Sequence, residues 1–195
     1  MIYLGQIVHL QVQEFSLKVG EGVNQRYDRA GLHVVDELEL SDGGVRGFHK
    51  GIEVADVHHR DHPLTKIRGS ENSISFGFSG HYDLMRERFG SHFDPAVAGE
   101  NILIEHGGRV DLTDVEKGLV IQSAGGRSLH LSEVLVAAPC APFTRWAMQF
   151  PEGAKPDRTV TNGLQFLNDG MRGYYCRYAG EPARVQVGDS VFAVA

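Results

Sequence analysis

The C-terminal run "YYCRYAGEPARVQVGDSVFAV", which begins at Tyr174, constrains the fold most. Its apolar stretches "YYCRYA", "ARVQV" and "SVFAV" are too short for helices and are cut apart by the turns "GEP" and "GD". The spacing predicts three short strands in close succession. A chain that ends this way favours a sheet that folds back on itself.

The same signature recurs upstream. Residues Ile2 to Val12 alternate apolar and polar, with a change of phase near Ile7–Val8 that predicts a bulge or bend. The polar, glycine-punctuated segment Lys18 to Arg29 reads as a loop. "GLHVVDELEL" reads as a strand closed by the turn "SDGG" at Ser41–Gly44, and "GIEVADVHH" as another strand leading into Pro63. "GENILIE" predicts a strand with Ile102 and Ile104 on one face. "GLVIQSAGGRSLHLSEVLVAA" predicts a hairpin through Gly125–Gly126.

Helices are few. "SGHYDLMRERFG" has Ser79 as an N-cap, apolar residues at Tyr82, Met85 and Phe89, and Gly90 as a stop. "TRWAMQF" can begin a second helix and "GLQFLNDGMRG" a short third one ending near Gly170, with residues Pro151 to Asn162 as an exposed loop. The expectation is a mainly β (β-rich α+β) protein, a barrel with a few short helices and roughly eight or more strands.

A chain of 195 residues supports one substantial core, so residues 1–195 are expected to form a single domain. The formal charge of −6 argues against a general nucleic-acid or anionic-membrane binder. No apolar run is long enough to span a bilayer, and the N-terminus lacks a basic n-region and a small-residue cleavage site. Two cysteines without a framework fit a reducing cytosol, so a cytoplasmic protein is expected.

Chemistry concentrates in "VLVAAPCAPFTRW". Cys140 stands between Pro139 and Pro142 at the end of the apolar run Val134 to Ala138. Two readings stay open: a reactive or metal-ligating thiolate, or a small buried hydrophobe at a strand end. Arg145 could hold an anion beside it or be a solvated helix residue. Cys176, between aromatic neighbours in "YYCRY", reads as core. The cluster "HHRDH" puts His58 and His62 at helical i, i+4 spacing for a metal, but Pro63 disfavours helix there, and a polar loop is the competing reading. "GENILIE" and "GMRGYY" are weak by themselves. The first reads as a turn into a strand or as a polar contact through Gly99, Glu100 and Asn101. The second reads as a helix C-cap or as an arginine, Arg172, presented from a turn between Gly170 and Gly173.

In combination these segments are informative. "VAGENILIE", then "VAAPCAPF", then "GMRGYYCRYAGEPARVQVGDSVF" resembles the MOSC domain, named for the C-terminal part of molybdenum cofactor sulfurase, from about Ser79 to Phe192. "HHRDHPLTK" stands where many small bacterial members carry an H-G-G stretch, and Met171 precedes Arg172 where they carry glycine. The resemblance implies a β-barrel with a basic pocket for a pterin phosphate and Cys140 as molybdenum ligand or sulfur acceptor. It implies a molybdenum cofactor (molybdopterin) held with the help of Asn101, Arg145, Arg172, Lys50, Gly99, Glu100, Gly173 and Tyr174, and no PLP in this chain.

Three functions follow from the resemblance. One is a reductase of N-hydroxylated or N-oxygenated small molecules served by an electron-donor protein. The second is a sulfur carrier whose Cys140 persulfide comes from a cysteine desulfurase. The third is a non-catalytic binding module on the same scaffold.

Overall fold

A computed structural model describes residues 1–66, 72–151 and 153–195. The first half of the chain forms strands β1 (Ile2–Gln13), β2 (Lys18–Val19), β3 (Arg26–Tyr27), β4 (Leu32–Val34), β5 (Glu37–Ser41), β6 (Gly44–His49) and β7 (Ile52–Ala55). Next come β8 (Ile74–Phe78), helix α1 (Ser79–Phe89), β9 (Ile102–Ile104), α2 (Leu112–Val115), β10 (Leu119–Gln122) and β11 (Ser128–Val136). The chain closes with α3 (Ala141–Ala147), α4 (Arg158–Leu167), β12 (Tyr174–Arg177), β13 (Ala183–Gln186) and β14 (Ser190–Ala193).

Seven strands form a closed barrel in the order β1, β14, β10, β11, β12, β8, β9 and back to β1. All its pairings are antiparallel except β8 with β9, which run parallel with Phe76 opposite Ile102. A parallel pair requires a crossover, and α1 with the segment after it supplies one. A second sheet of order β13, β5, β6, β7 lies alongside, and β2 pairs with β3.

The long strand β1 serves both β14 and β9, and its register shifts between Tyr3 and Gly5 and again between Ile7 and His9. The second is the irregularity that the change of phase near Ile7–Val8 predicts, whereas the first, at Gly5, is not marked by the alternation. Together they let Leu4, Ile7, Leu10 and Val12 all face the core although their spacing is uneven. The barrel interior is filled by side chains such as Phe76, Phe78, Tyr174, Ile102 and Ile104. Leu103, between those two isoleucines, points outward. It joins a second cluster with Tyr82 and Met85 of α1 and Phe143 and Ala147 of α3. One strand thus glues the barrel to the helices.

Several local expectations change. "GLHVVDELEL" breaks into β4 and β5, because β4 pairs with β1 while β5 pairs with β6. The Lys18–Arg29 segment is a small hairpin, with Lys18 opposite Tyr27. Ser79 does not cap α1. Phe78 is the cap residue, and the Ser79 hydroxyl instead donates to the His106 carbonyl and accepts from its amide. Helix α4, expected within "GLQFLNDGMRG", starts at Arg158, where Asp157 accepts from Thr159 N, so it consumes part of the expected 151–162 loop. Within that loop, residue 152 lies outside the described residues. Among the described residues no helix is long and apolar enough to cross a membrane.

Candidate functional site

Cys140 ends the loop that follows β11. Its backbone is extended (φ −114°, ψ 153°), and it is the N-cap of α3, with a proline in the first helical turn. Its carbonyl accepts from Thr144 N at 2.9 Å and from Thr144 Oγ1 at 3.0 Å, which fixes where the helix begins. The thiol is half-buried and unbridged, as is fully buried Cys176. Burial inside the barrel pushes the Cys176 thiol up, so it stays protonated and inert. Only one of the two thiols is open to chemistry.

A cavity of about 260 Å³ is lined by Cys140, Gly99, Glu100 and Arg172. Arg172 clamps the two segments that make it. Its guanidinium donates to Ala138 O in the cysteine loop at 3.2 Å and to Ala98 O beside "GEN" at 3.1 Å, and it lies 5.5 Å from the centre of the Phe143 ring. Its Nε is buried without a hydrogen-bond partner.

Glu100 is buried. Its Oε2 accepts from Tyr82 Oη at 2.7 Å, while Oε1 has no partner. Burial drives its carboxyl up to about 6, against the downward pull of the Tyr82 hydrogen bond and the Arg172 charge. Two glycines make room for it. A Cβ on Gly77 would stand 2.9 Å from Oε1, and one on Gly173 would stand 3.3 Å from it. Gly173 also has φ +116°, a region that glycine alone enters without strain.

Lys18, Tyr27 and Lys66 on the cavity wall escape a reading of motifs, and His58, singled out for its cluster, joins them there. Lys18 and Tyr27 arrive from the small hairpin, and Lys66 and His58 from the stretch after β7. Asp56 orders that stretch. It is buried and accepts from Gln13 N and Asn101 Nδ2 through Oδ2, and from His58 N and His58 Nδ1 through Oδ1, all at 2.8–2.9 Å. Burial alone would raise its carboxyl, but the His58 side chain and the two amides outweigh it and hold it below the usual carboxylate range. The carboxylate keeps the His58 proton on Nδ1.

The histidine cluster therefore matters, but not as a helical metal site. Residues 58–62 form turns, and the three histidines separate. His59 Nε2 accepts from Arg46 Nε, His62 Nδ1 accepts from Leu64 N, and only His58 reaches the Cys140 cavity. Among the described residues no group of three or more His, Cys, Asp or Glu side chains is placed to hold a metal ion.

The other residues named from the sequence divide. Asn101 is a brace: its Oδ1 accepts from Ser75 N and Oγ, and its Nδ2 donates to Asp56. Tyr174 lies in the barrel core, its ring stacked 5.4 Å from Phe76 and its hydroxyl on Val110 O. Lys50 sits exposed in the β6–β7 turn and Arg145 lines a neighbouring cavity, so neither lies on this wall. Position in sequence put them near; the turn of the hairpin and the facing of α3 carry them away.

The MOSC domain model matches residues 63–192, from the turn after the histidines to the last strand. The chain belongs to the MOSC domain family. This MOSC protein has its cysteine, its "GEN" segment and its arginine turn on one wall, which is how residues 99–100, 140 and 172 come together. Among solved structures it is similar to the YuaD protein from Bacillus subtilis at 15% identity, covering 95% of this chain and 96% of that one with a TM-score of 0.50. A second similar structure, that of a hypothetical protein, shares 14% identity over 98% of this chain and 68% of that one, with a TM-score of 0.55. YiiM from Geobacillus stearothermophilus shares 17% identity over 97% of this chain and 75% of that one, at a TM-score of 0.49. No curated protein matches the sequence. The structural likenesses bear on fold alone.

Proposed function

We propose that this MOSC protein holds a molybdenum–pterin cofactor in the Cys140 cavity and reduces N-hydroxylated or N-oxygenated small molecules. The observation that carries this reading is an accessible thiol on the wall of a cavity that also gathers Lys18, Lys66 and Arg172, in a chain of net charge −6. A thiolate is a soft ligand suited to molybdenum, and the three cations suit a phosphate. The residues present fit such a group. Arg172 Nε is a buried donor and Glu100 Oε1 a buried acceptor, both lacking a partner that a polar ligand would supply.

When bound, the cofactor supplies two-electron chemistry at its metal. The chain's own work is to hold and to protonate. Arg172 and the lysines hold the anionic end, and Cys140 offers its sulfur from a helix start fixed by Thr144. Glu100, at about 6, carries a proton that it can give up near neutral pH. The electrons come from a donor protein in the same compartment, for which the cytoplasm is the natural assignment.

Elemental analysis of protein made in a cofactor-competent host tests the reading. Wild type should carry molybdenum and Cys140→Ser should not, and the loaded wild type should reduce an N-hydroxylated amidine with reduced viologen. A wild-type protein free of molybdenum overturns it. A sulfur carrier is the second reading, favoured by the contrast between one accessible thiol and one buried thiol. It requires Cys140 to gain the mass of one sulfur atom after incubation with a cysteine desulfurase.

A further inference from the structure

A second cavity, of about 730 Å³, shares Tyr27 with the Cys140 cavity but has a different wall. Trp146 and Phe150 form its aromatic face, and Arg26, Arg29 and Arg145 bring the charge. No carboxylate lines it among the described residues.

The aromatic face is rigid. The Trp146 ring stacks on Phe143 at 5.7 Å and meets Tyr27 at 5.6 Å and His92 edge-on at 5.1 Å. His92 is pinned in turn, with Nε2 on the Ala147 carbonyl at 3.0 Å and Nδ1 facing Gln149 Nε2 at 3.1 Å. Those partners fix the orientation of the His92 ring as part of the wall.

The guanidinium groups lie on the rings. Arg29 Cζ is 5.8 Å from the Trp146 centroid and Arg145 Cζ is 5.6 Å from that of Phe150. Arg29 also holds Asp94, Arg26 holds Asp28, and Arg145 donates to the carbonyls of Pro151 and Ala154. The Arg29–Asp94 and Arg26–Asp28 pairs are largely solvent-exposed and therefore weak, so they aim those two guanidiniums more than they neutralise them. Planar forks around a fixed aromatic platform match a flat ring that carries oxygens with negative charge.

We infer that this cavity binds an aromatic oxyanion, its ring on Trp146 and Phe150 and its oxygens on Arg26, Arg29 and Arg145. The inference does not depend on the cofactor reading, because neither Cys140 nor Arg172 lines this wall.

Trp146 is the chain's single tryptophan, so its emission reports occupancy directly. The protein as expressed would be titrated with phenyl phosphate, benzoate, inorganic phosphate and benzamide. Phenyl phosphate or benzoate should change the emission saturably, with a Kd near or below about 1 mM, and whichever binds tighter identifies the anionic group. Inorganic phosphate and benzamide should each bind about tenfold more weakly, since each offers half of the recognition. Arg29→Gln and Arg26→Gln should each weaken binding about fivefold, while Arg184→Gln, remote beside Phe48, should not. Calorimetry on Trp146→Phe confirms binding without the fluorophore.

Three outcomes overturn the inference. One is no saturation below about 10 mM for either aromatic anion. Another is inorganic phosphate binding as tightly as phenyl phosphate. The third is loss of binding in Arg172→Gln with Arg29→Gln unchanged, which would put the ligand in the Cys140 cavity.

Discussion

Glu100 is a residue whose chemistry depends on its surroundings more than on its neighbours in sequence. Its carboxyl is raised from 4.5 to about 6. The folded state therefore holds the proton more tightly than the unfolded chain, and stability falls as pH rises between those values by roughly 2 kcal/mol. Glu100→Gln keeps an acceptor for Tyr82 and removes the titration, so its urea-denaturation stability should lack that fall. The comparison with wild type is essential. Buried His81, lowered from 6.5 to about 4, works in the opposite sense, contributing stability that is lost as pH falls through that window. The two cysteines separate as clearly. Cys140→Ser should change stability by less than about 1 kcal/mol, since serine is a favoured N-cap and the position is half-exposed. Cys176→Ser buries a hydroxyl in the barrel and should cost about 1–3 kcal/mol in the same assay.

At the scale of elements, Asp56 and Gly5 hold pieces of chain together that no local pattern connects. The Asp56 carboxylate receives the end of β1, the entry to β9 and the His58 turn at once. Asp56→Asn turns an amide donor toward groups that are themselves donors and should cost about 2–4 kcal/mol in denaturant melts. It should also free His58 from its Nδ1–H form, read in nitrogen-edited NMR of the imidazole. Gly5 sits in the first β1 irregularity with φ +152°, and a Cβ there would run into the Glu105 carbonyl oxygen. Gly5→Ala should lower stability by about 2 kcal/mol or more, because backbone and not a flexible side chain stands in the way. The phase change in "MIYLGQIVHL" was legible as a bend. That glycine was needed for the close approach of Glu105 was not.

For the whole molecule, closure is the governing fact. β14 pairs with β1 on one side and β10 on the other, so the last strand seals the barrel. Deleting residues 190–195 would open two ladders and take buried Val191 and Ala193 out of the core, and the shortened protein should show no cooperative thermal transition. The sequence by itself determined that the chain is β-rich, where most strands and turns fall, that Cys176 is core, and that the "GEN", cysteine and arginine segments belong to a MOSC domain. Those properties are local: alternation, turn residues and short motifs are written in consecutive positions. Only the tertiary structure decided that Lys18, Tyr27, His58 and Lys66 face Cys140, that Asn101 and Tyr174 serve packing, and that Arg145 and Lys50 look elsewhere. The physical reason is that a cavity wall is assembled from segments more than a hundred residues apart. Which side of a helix or hairpin faces it is fixed by barrel closure and by buried hydrogen bonds such as those of Asp56, and neither leaves a periodic trace in the sequence.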